Sequence, residues 1–187
     1  MTGLNPEVDC LVEIAVVVTN SELEILDEGI DIVIKPTPEG LANMGEFVTN
    51  MHTESGLINE FEHGVDLAEA EQRVLEYVKR FVPEARTAPL AGNTIGTDRM
   101  FINRYMPQLD SHLHYRNIDV SSVKELSRRW FPRVYFNLPS KAGGHRALAD
   151  IRESIKELQY YRKTVFVAPP GPTSEAAKSA AEGLGAD

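Results

Sequence analysis

The sequence predicts an α/β protein, a mixed sheet flanked by helices, and two observations carry that expectation. Short runs rich in Val and Ile, bounded by Asn, Gly or Pro, have the length of strands. After them, apolar residues recur every three or four positions, the spacing of helices that bury one face.

Leu11 to Thr19 reads as a strand and Asn20-Ser21 as a turn. Glu22 to Leu26 and Ile30 to Ile34 then give two more short strands, an antiparallel meander of three that Pro36 and Pro38 stop. Residues 39–66 carry Gly40, Gly45, Gly56 and Gly64 among short apolar groups, which predicts brief helical turns and loops and a place for a site. Leu67, Ala70, Val74, Leu75, Val78 and Phe81 predict an amphipathic helix with Asp66 as its N-cap and Pro83 beyond its end. Ala88 to Gly92 suits a buried strand, Thr97 to Met106 a helix stopped by Pro107, and Tyr115 to Val120 another strand. Ser122 and Glu125, hydroxyl and carboxylate three apart, predict a capped helix start running to about Trp130, with Leu126 and Trp130 in the core. After a loop over 137–144, Leu148, Ile151, Ile155 and Leu158 predict the last and longest helix, to about Lys163. Residues 168–187, opening Ala168-Pro169-Pro170-Gly171-Pro172, have almost nothing apolar to bury and are expected to form a disordered tail behind a folded domain over 1–167.

A chain of 187 residues fits one domain. With 42% hydrophobic and 25% charged residues it is neither collagen-like, mucin-like nor wholly disordered. The apolar stretch Ile14 to Val18 is far short of the ~20 residues of a membrane span. The segment Met1-Thr2-Gly3-Leu4-Asn5-Pro6 has no basic stretch or apolar signal region, and the sole cysteine, Cys10, can form no intrachain disulfide; a cytoplasmic protein is expected. A net charge of -9 argues against coating long duplexes. There is no Gly-x-Gly-x-x-Gly, no phosphate-cradling Gly-Lys-Ser/Thr loop and no Gly-x-Ser-x-Gly turn, so dinucleotide oxidoreductases, nucleotide-triphosphate motors and serine hydrolases drop away.

Asp98, in Gly92-Asn93-Thr94-Ile95-Gly96-Thr97-Asp98, follows a buried strand at a helix start; it is either a dipole-complementing carboxylate or part of a site at the strand end. His145 and Asp150 would diverge on one regular helix and converge more easily if His145 precedes it, which Gly143-Gly144 permits. A surface histidine and a solvated aspartate are the plainer alternative. His52 is a polar loop residue or a substrate contact. His112 and His114, two apart and without a paired cysteine or histidine, make a structural zinc site improbable.

Five stretches, taken in order, carry a resemblance: Met1-Thr2-Gly3-Leu4, His52 to Leu57, Gly92 to Asp98, His114 to Ser122, and His145 to Ile155. Together they resemble the His-containing branch of the DEDD superfamily of 3′→5′ exonucleases, and within it the oligoribonuclease family, over residues 1 to about 166. The resemblance implies a ribonuclease H-like fold, hydrolysis of short single-stranded RNA and dinucleotides to 5′-mononucleotides, and two Mg²⁺ or Mn²⁺ ions per site. It makes Asp98 and Asp150 metal carboxylates and His145 the general base. It makes Leu4 an apolar wedge at the 3′-terminal bases, Phe47 an aromatic stacker and His52 a phosphate or sugar contact. Tyr115, Arg116 and Ser121 match residues that, in a homodimer, reach the neighbouring subunit's substrate. In the family's pattern an Asp-x-Glu pair on a first strand stands immediately before the Met-Thr-Gly-Leu segment, whereas this sequence begins at Met1. The expectation is a start taken at an internal methionine, with that strand truncated and two metal carboxylates missing. The other readings are a non-catalytic dinucleotide binder or dimeric scaffold, and a different exonuclease of the superfamily such as a proofreading or tRNA-trimming enzyme.

Overall fold

The computed structural model describes residues 1–140 and 145–184. Strand β1 (Glu13–Val16) pairs antiparallel with β2 (Ile30–Val33), Glu13 opposite Val33 and Val16 opposite Ile30. Strand alternation places Ile14, Val16, Ile30 and Ile32 on one face and Glu13, Ala15, Asp31 and Val33 on the other. The expected middle strand of the meander, Glu22 to Leu26, is reduced to a single bridge between Thr19 and Ile25. The Asn20 side chain is the reason: its Oδ1 accepts from the amides of Glu22 and Glu24, which folds the backbone into a turn instead of a ladder.

Helices α1 (Pro38–Asn43) and α2 (Glu46–Glu54) and a 3₁₀ helix (Leu57–His63) fill the glycine-rich stretch. Helix α3 (Leu67–Phe81) has both its expected ends, with the Asp66 carboxylate accepting from Glu69 N at 2.8 Å. It lays Ala70, Val74, Tyr77 and Val78 against Ile14, Ile32 and Ile34. Strand β3 (Pro89–Gly92) is followed by α4 (Ile95–Tyr105) and α5 (Pro107–His112); Phe101 and Ile102 of the first, Leu109 of the second and Met106 between them join the same core. The chain then returns in β4 (His114–Asp119), parallel to β3, so that strand, helices and strand form one crossover unit.

Helix α6 (Val120–Trp130) begins two residues before the expected capping box, because the Asp119 carboxylate caps it, accepting from Ser121 N at 3.1 Å and Ser122 Oγ at 2.6 Å. Leu126 and Trp130, expected in the core, are exposed; Ser127 and Val120 are the buried residues of α6. After α7 (Pro132–Tyr135), helix α8 (Ala147–Thr164) is the longest of the described elements and packs on β1, β2, β3 and α6. Its buried Glu157 is held by Lys124 Nζ at 3.2 Å and Tyr161 Oη at 3.3 Å, a paired rather than an isolated charge. Of the segment 168–187, the structure describes 168–184, including α9 (Ser174–Glu182), none of whose residues is buried. Among the described residues, no helix is long and apolar enough to cross a membrane.

Candidate active site

Asp98 stands in the first turn of α4, directly after β3. Thr94 caps that helix in the left-handed region, and Ser121 at the start of α6 steadies it, its Oγ accepting from Thr94 N at 3.0 Å. Burial pushes the Asp98 carboxyl above the usual carboxylate range, opposed by its own amide and by the positive charge of the Met1 amino group. No side chain among the described residues donates to it. The same Met1 amino group lies within electrostatic reach of Glu13 and Asp9, and burial lowers its own pKa. Asp98 and the acidic side of β1 therefore share one corner of the molecule.

The start of α8 is tied to that corner. Glu13, whose side chain is 5% exposed, accepts from Arg146 Nε at 2.6 Å and from Ala147 N at 2.9 Å. Arg146 Nη1 donates to Glu60 at 2.7 Å. Asp31, beside Glu13 on the same sheet face, has its carboxyl raised chiefly by burial and next by the charge of Glu13. His145 precedes the helix, exposed, with φ at 50° in the left-handed region. Asp150 lies in the first turn of α8, exposed. Gly143 and Gly144, on which the sequence argument drew, lie outside the described residues.

Leu4 and Phe47 are large apolar side chains 77% and 81% exposed. Tyr115, 73% exposed on β4, stacks on His114 with ring centroids 4.5 Å apart and lies under the Arg116 guanidinium at 5.4 Å. Ser121 is half-buried, its hydroxyl engaged with Thr94 and with Asn93 Oδ1 at 3.3 Å. His52 is turned inward, 3% exposed, with Nε2 3.0 Å from the Met1 carbonyl. A carbonyl only accepts, so Nε2 carries the proton and the lone pair is on Nδ1, which has no partner among the described residues.

Burial lowers the His52 pKa, outweighing the Met1 carbonyl that favours its charged form. A depressed histidine contributes stability that is present above its ordinary value of 6.5 and lost as the pH falls through the folded value. Thermal midpoints measured from pH 8 to 5 are therefore expected to fall more steeply in the natural chain than in His52→Gln, which keeps a donor toward Met1. Parallel profiles would contradict this assignment.

Sequence reasoning missed Glu13, Glu60 and Arg146. Glu13 did carry a signal: it is the one charge in the apolar run Leu11 to Val18, and a charge in a strand covered on both faces needs a partner.

Asp98 and Asp150 supply hard oxygen donors, the kind Mg²⁺ and Mn²⁺ prefer, and the Asp98 carboxyl, met by its own amide but by no side-chain donor among the described residues, has the character of a ligand. Their number is short of a complete cage. Among the described residues, no group of three or more His, Cys, Asp and Glu side chains converges as a metal site.

A mixed α/β domain with two small sheets covered by helices, matched by an exonuclease family model over most of its length, is that of a nuclease. The chain belongs to the exonuclease family, whose model matches residues 1–158. It is 68% identical over 180 residues to the oligoribonuclease of Leifsonia xyli subsp. xyli, covering 96% of this chain and 87% of the relative. It is 60% identical over 186 residues to that of Rhodococcus jostii, covering 99% and 94%, and 58% identical over 186 residues to that of Streptomyces griseus, covering 100% and 92%.

Proposed function

We propose that this protein is a cytoplasmic, homodimeric 3′→5′ exoribonuclease of very short RNAs, dinucleotides foremost, releasing 5′-mononucleotides. Relatives named oligoribonuclease support the substrate class. The observation that carries the site is the pairing of a half-buried carboxyl at Asp98, which no side chain among the described residues donates to, with a start of α8 fastened to the same acidic corner through Glu13.

Two Mg²⁺ or Mn²⁺ ions, held in part by Asp98 and Asp150, would activate the attacking water and stabilise the leaving 3′ oxygen. His145 takes the proton of that water on its imidazole; exposed and outside the helix, it has access to solvent. Leu4 and Phe47 offer apolar surface on which terminal bases stack without regard to sequence. His52, buried with Nε2 on the Met1 carbonyl, holds the segment that carries Leu4 and offers no exposed atom to a ribose hydroxyl. Tyr115 and Arg116 on β4, with Ser121 at the adjoining helix start, close the far end of a partner copy's site behind the 5′ phosphate. A net charge of -9 suits a substrate with few phosphates.

A length series tests this reading. With Mg²⁺ or Mn²⁺, turnover of diribonucleotide is expected to exceed that of a twenty-nucleotide RNA or DNA on the order of 10²-fold, because a long strand cannot seat its reacting end in a closed pocket. Equal rates at two, seven and twenty nucleotides would favour a trimming or proofreading exonuclease. The absence of a complete cation cage among the described residues gives a second reading, a non-catalytic dinucleotide binder. Tight dinucleotide binding without turnover, even when the family's Asp-x-Glu segment is supplied ahead of Met1, would establish it.

A further inference from the structure

Arg146 lies next to His145 in the chain and carries Asp150 on its backbone, since Asp150 N donates to Arg146 O at 3.0 Å in the first turn of α8. By position it is the N-cap of α8, yet its side chain makes no cap hydrogen bond. The orphan amide of Ala147 donates instead to Glu13 Oε2 at 2.9 Å, while Arg146 Nε donates to Oε1 of the same carboxylate at 2.6 Å. The other edge of the guanidinium meets Glu60, Nη1 at 2.7 Å and Nη2 at 3.4 Å. A single strand carboxylate thus grips the main chain of one residue and the side chain of its neighbour. The guanidinium fork in turn meets two carboxylates, one from β1 and one from the 3₁₀ helix, with different nitrogens, a planar geometry that the three donors on a lysine's single nitrogen do not reproduce. The buried Glu13 edge is the firmer one; Glu60 is half exposed to solvent. On the other side of Arg146, His145 occupies a left-handed φ of 50°, a conformation that a residue with a side chain keeps only where its surroundings over-determine it.

We propose that Arg146 is a positioning residue for the exonuclease reaction: gripping Glu13 and Glu60, it sets the direction in which His145 leaves α8 and the angle at which the first turn presents Asp150. The proposal rests on the reading of His145 and Asp150 as reacting and cation-holding groups. Its mechanical content, a clamp on residues 145–150, stands independently of turnover.

The test uses the full chain with Arg146→Lys and Arg146→Ala, diribonucleotide as substrate and Mn²⁺ as the ion. Arg146→Lys is expected to lower kcat on the order of 10²-fold while KM stays within about two-fold, the mark of groups misplaced by an ångström and not of lost binding. In the metal-free protein the same variant is expected to shift the His145 ring resonances, assigned by difference with His145→Asn, and to speed amide exchange at Ala147. Unchanged kcat in an active protein, or unmoved His145 resonances and Ala147 exchange, would overturn the proposal. A natural chain that turns over no dinucleotide would instead count against the exonuclease reading, and the two spectroscopic measurements would still decide the role of Arg146. If Arg146→Ala fails to fold, the lysine variant carries the test.

Discussion

Replacing Asp98 by Asn is expected to lower kcat by about 10³-fold or more, the loss that follows when one member of a cooperating catalytic set is removed. The same change is expected to leave the thermal midpoint at pH 7 equal to or above that of the natural chain. Burial raises the Asp98 carboxyl, and the raised value is net of its amide and the Met1 amino charge, so the fold disfavours the ionised form. A carboxyl raised in the folded state contributes stability that is fully present below its ordinary value of 3.8 and is lost as the pH rises through the folded value. Asn has the shape of the neutral acid and never meets that loss. The advantage of Asp98→Asn in melting experiments should therefore shrink steadily as the pH is lowered from 7 toward 4. A residue that merely complemented the α4 dipole would behave oppositely, with Asn destabilising at pH 7 and no effect on turnover. An active site trading stability for function gives the first pattern.

His145→Asn is expected to lower kcat by about 10² to 10⁴-fold with little change in KM, the range for removing a general base. Asn is chosen because residue 145 has φ 50°, a region that Asn tolerates better than most residues with a side chain. His145 is also exposed, so the variant leaves no buried cavity and its thermal midpoint should stay within a degree or two of the natural chain's. A comparable loss from His145→Ala accompanied by a lower midpoint would separate the cost of the left-handed backbone from the loss of the imidazole. Undiminished turnover in both variants would remove His145 from the reaction.

The elements that were legible in the sequence are those specified by local periodicity and caps. The stripe Ala70, Val74, Val78 and the carboxylate of Asp66 define α3 from neighbours within one turn, and the structure has both of its ends. Asp98 at a helix start and His145 ahead of a helix were readable for the same reason: Gly, Thr and Pro punctuate the chain close by. What escaped was decided by side chains reaching backbone or distant partners. Asn20 turns an apparent strand into a tight turn, and Asp119 starts α6 ahead of Ser122. The bond between Arg146 and Glu13 spans 133 residues, a distance over which no local pattern speaks. Leu126 and Trp130 have the spacing of a core pair but stand on the outer side of α6, because periodicity marks a shared face without saying what covers it.

The most direct measurement is product analysis of a 5′-phosphorylated diribonucleotide incubated with Mn²⁺ and the chain preceded by the family's Asp-x-Glu segment, with Asp98→Asn alongside. Complete conversion to 5′-mononucleotides by the extended chain, and none by the variant, is the result expected of a 3′→5′ exoribonuclease built on this corner. A dinucleotide left intact by both proteins, or cut to products bearing a 3′ phosphate, would contradict it.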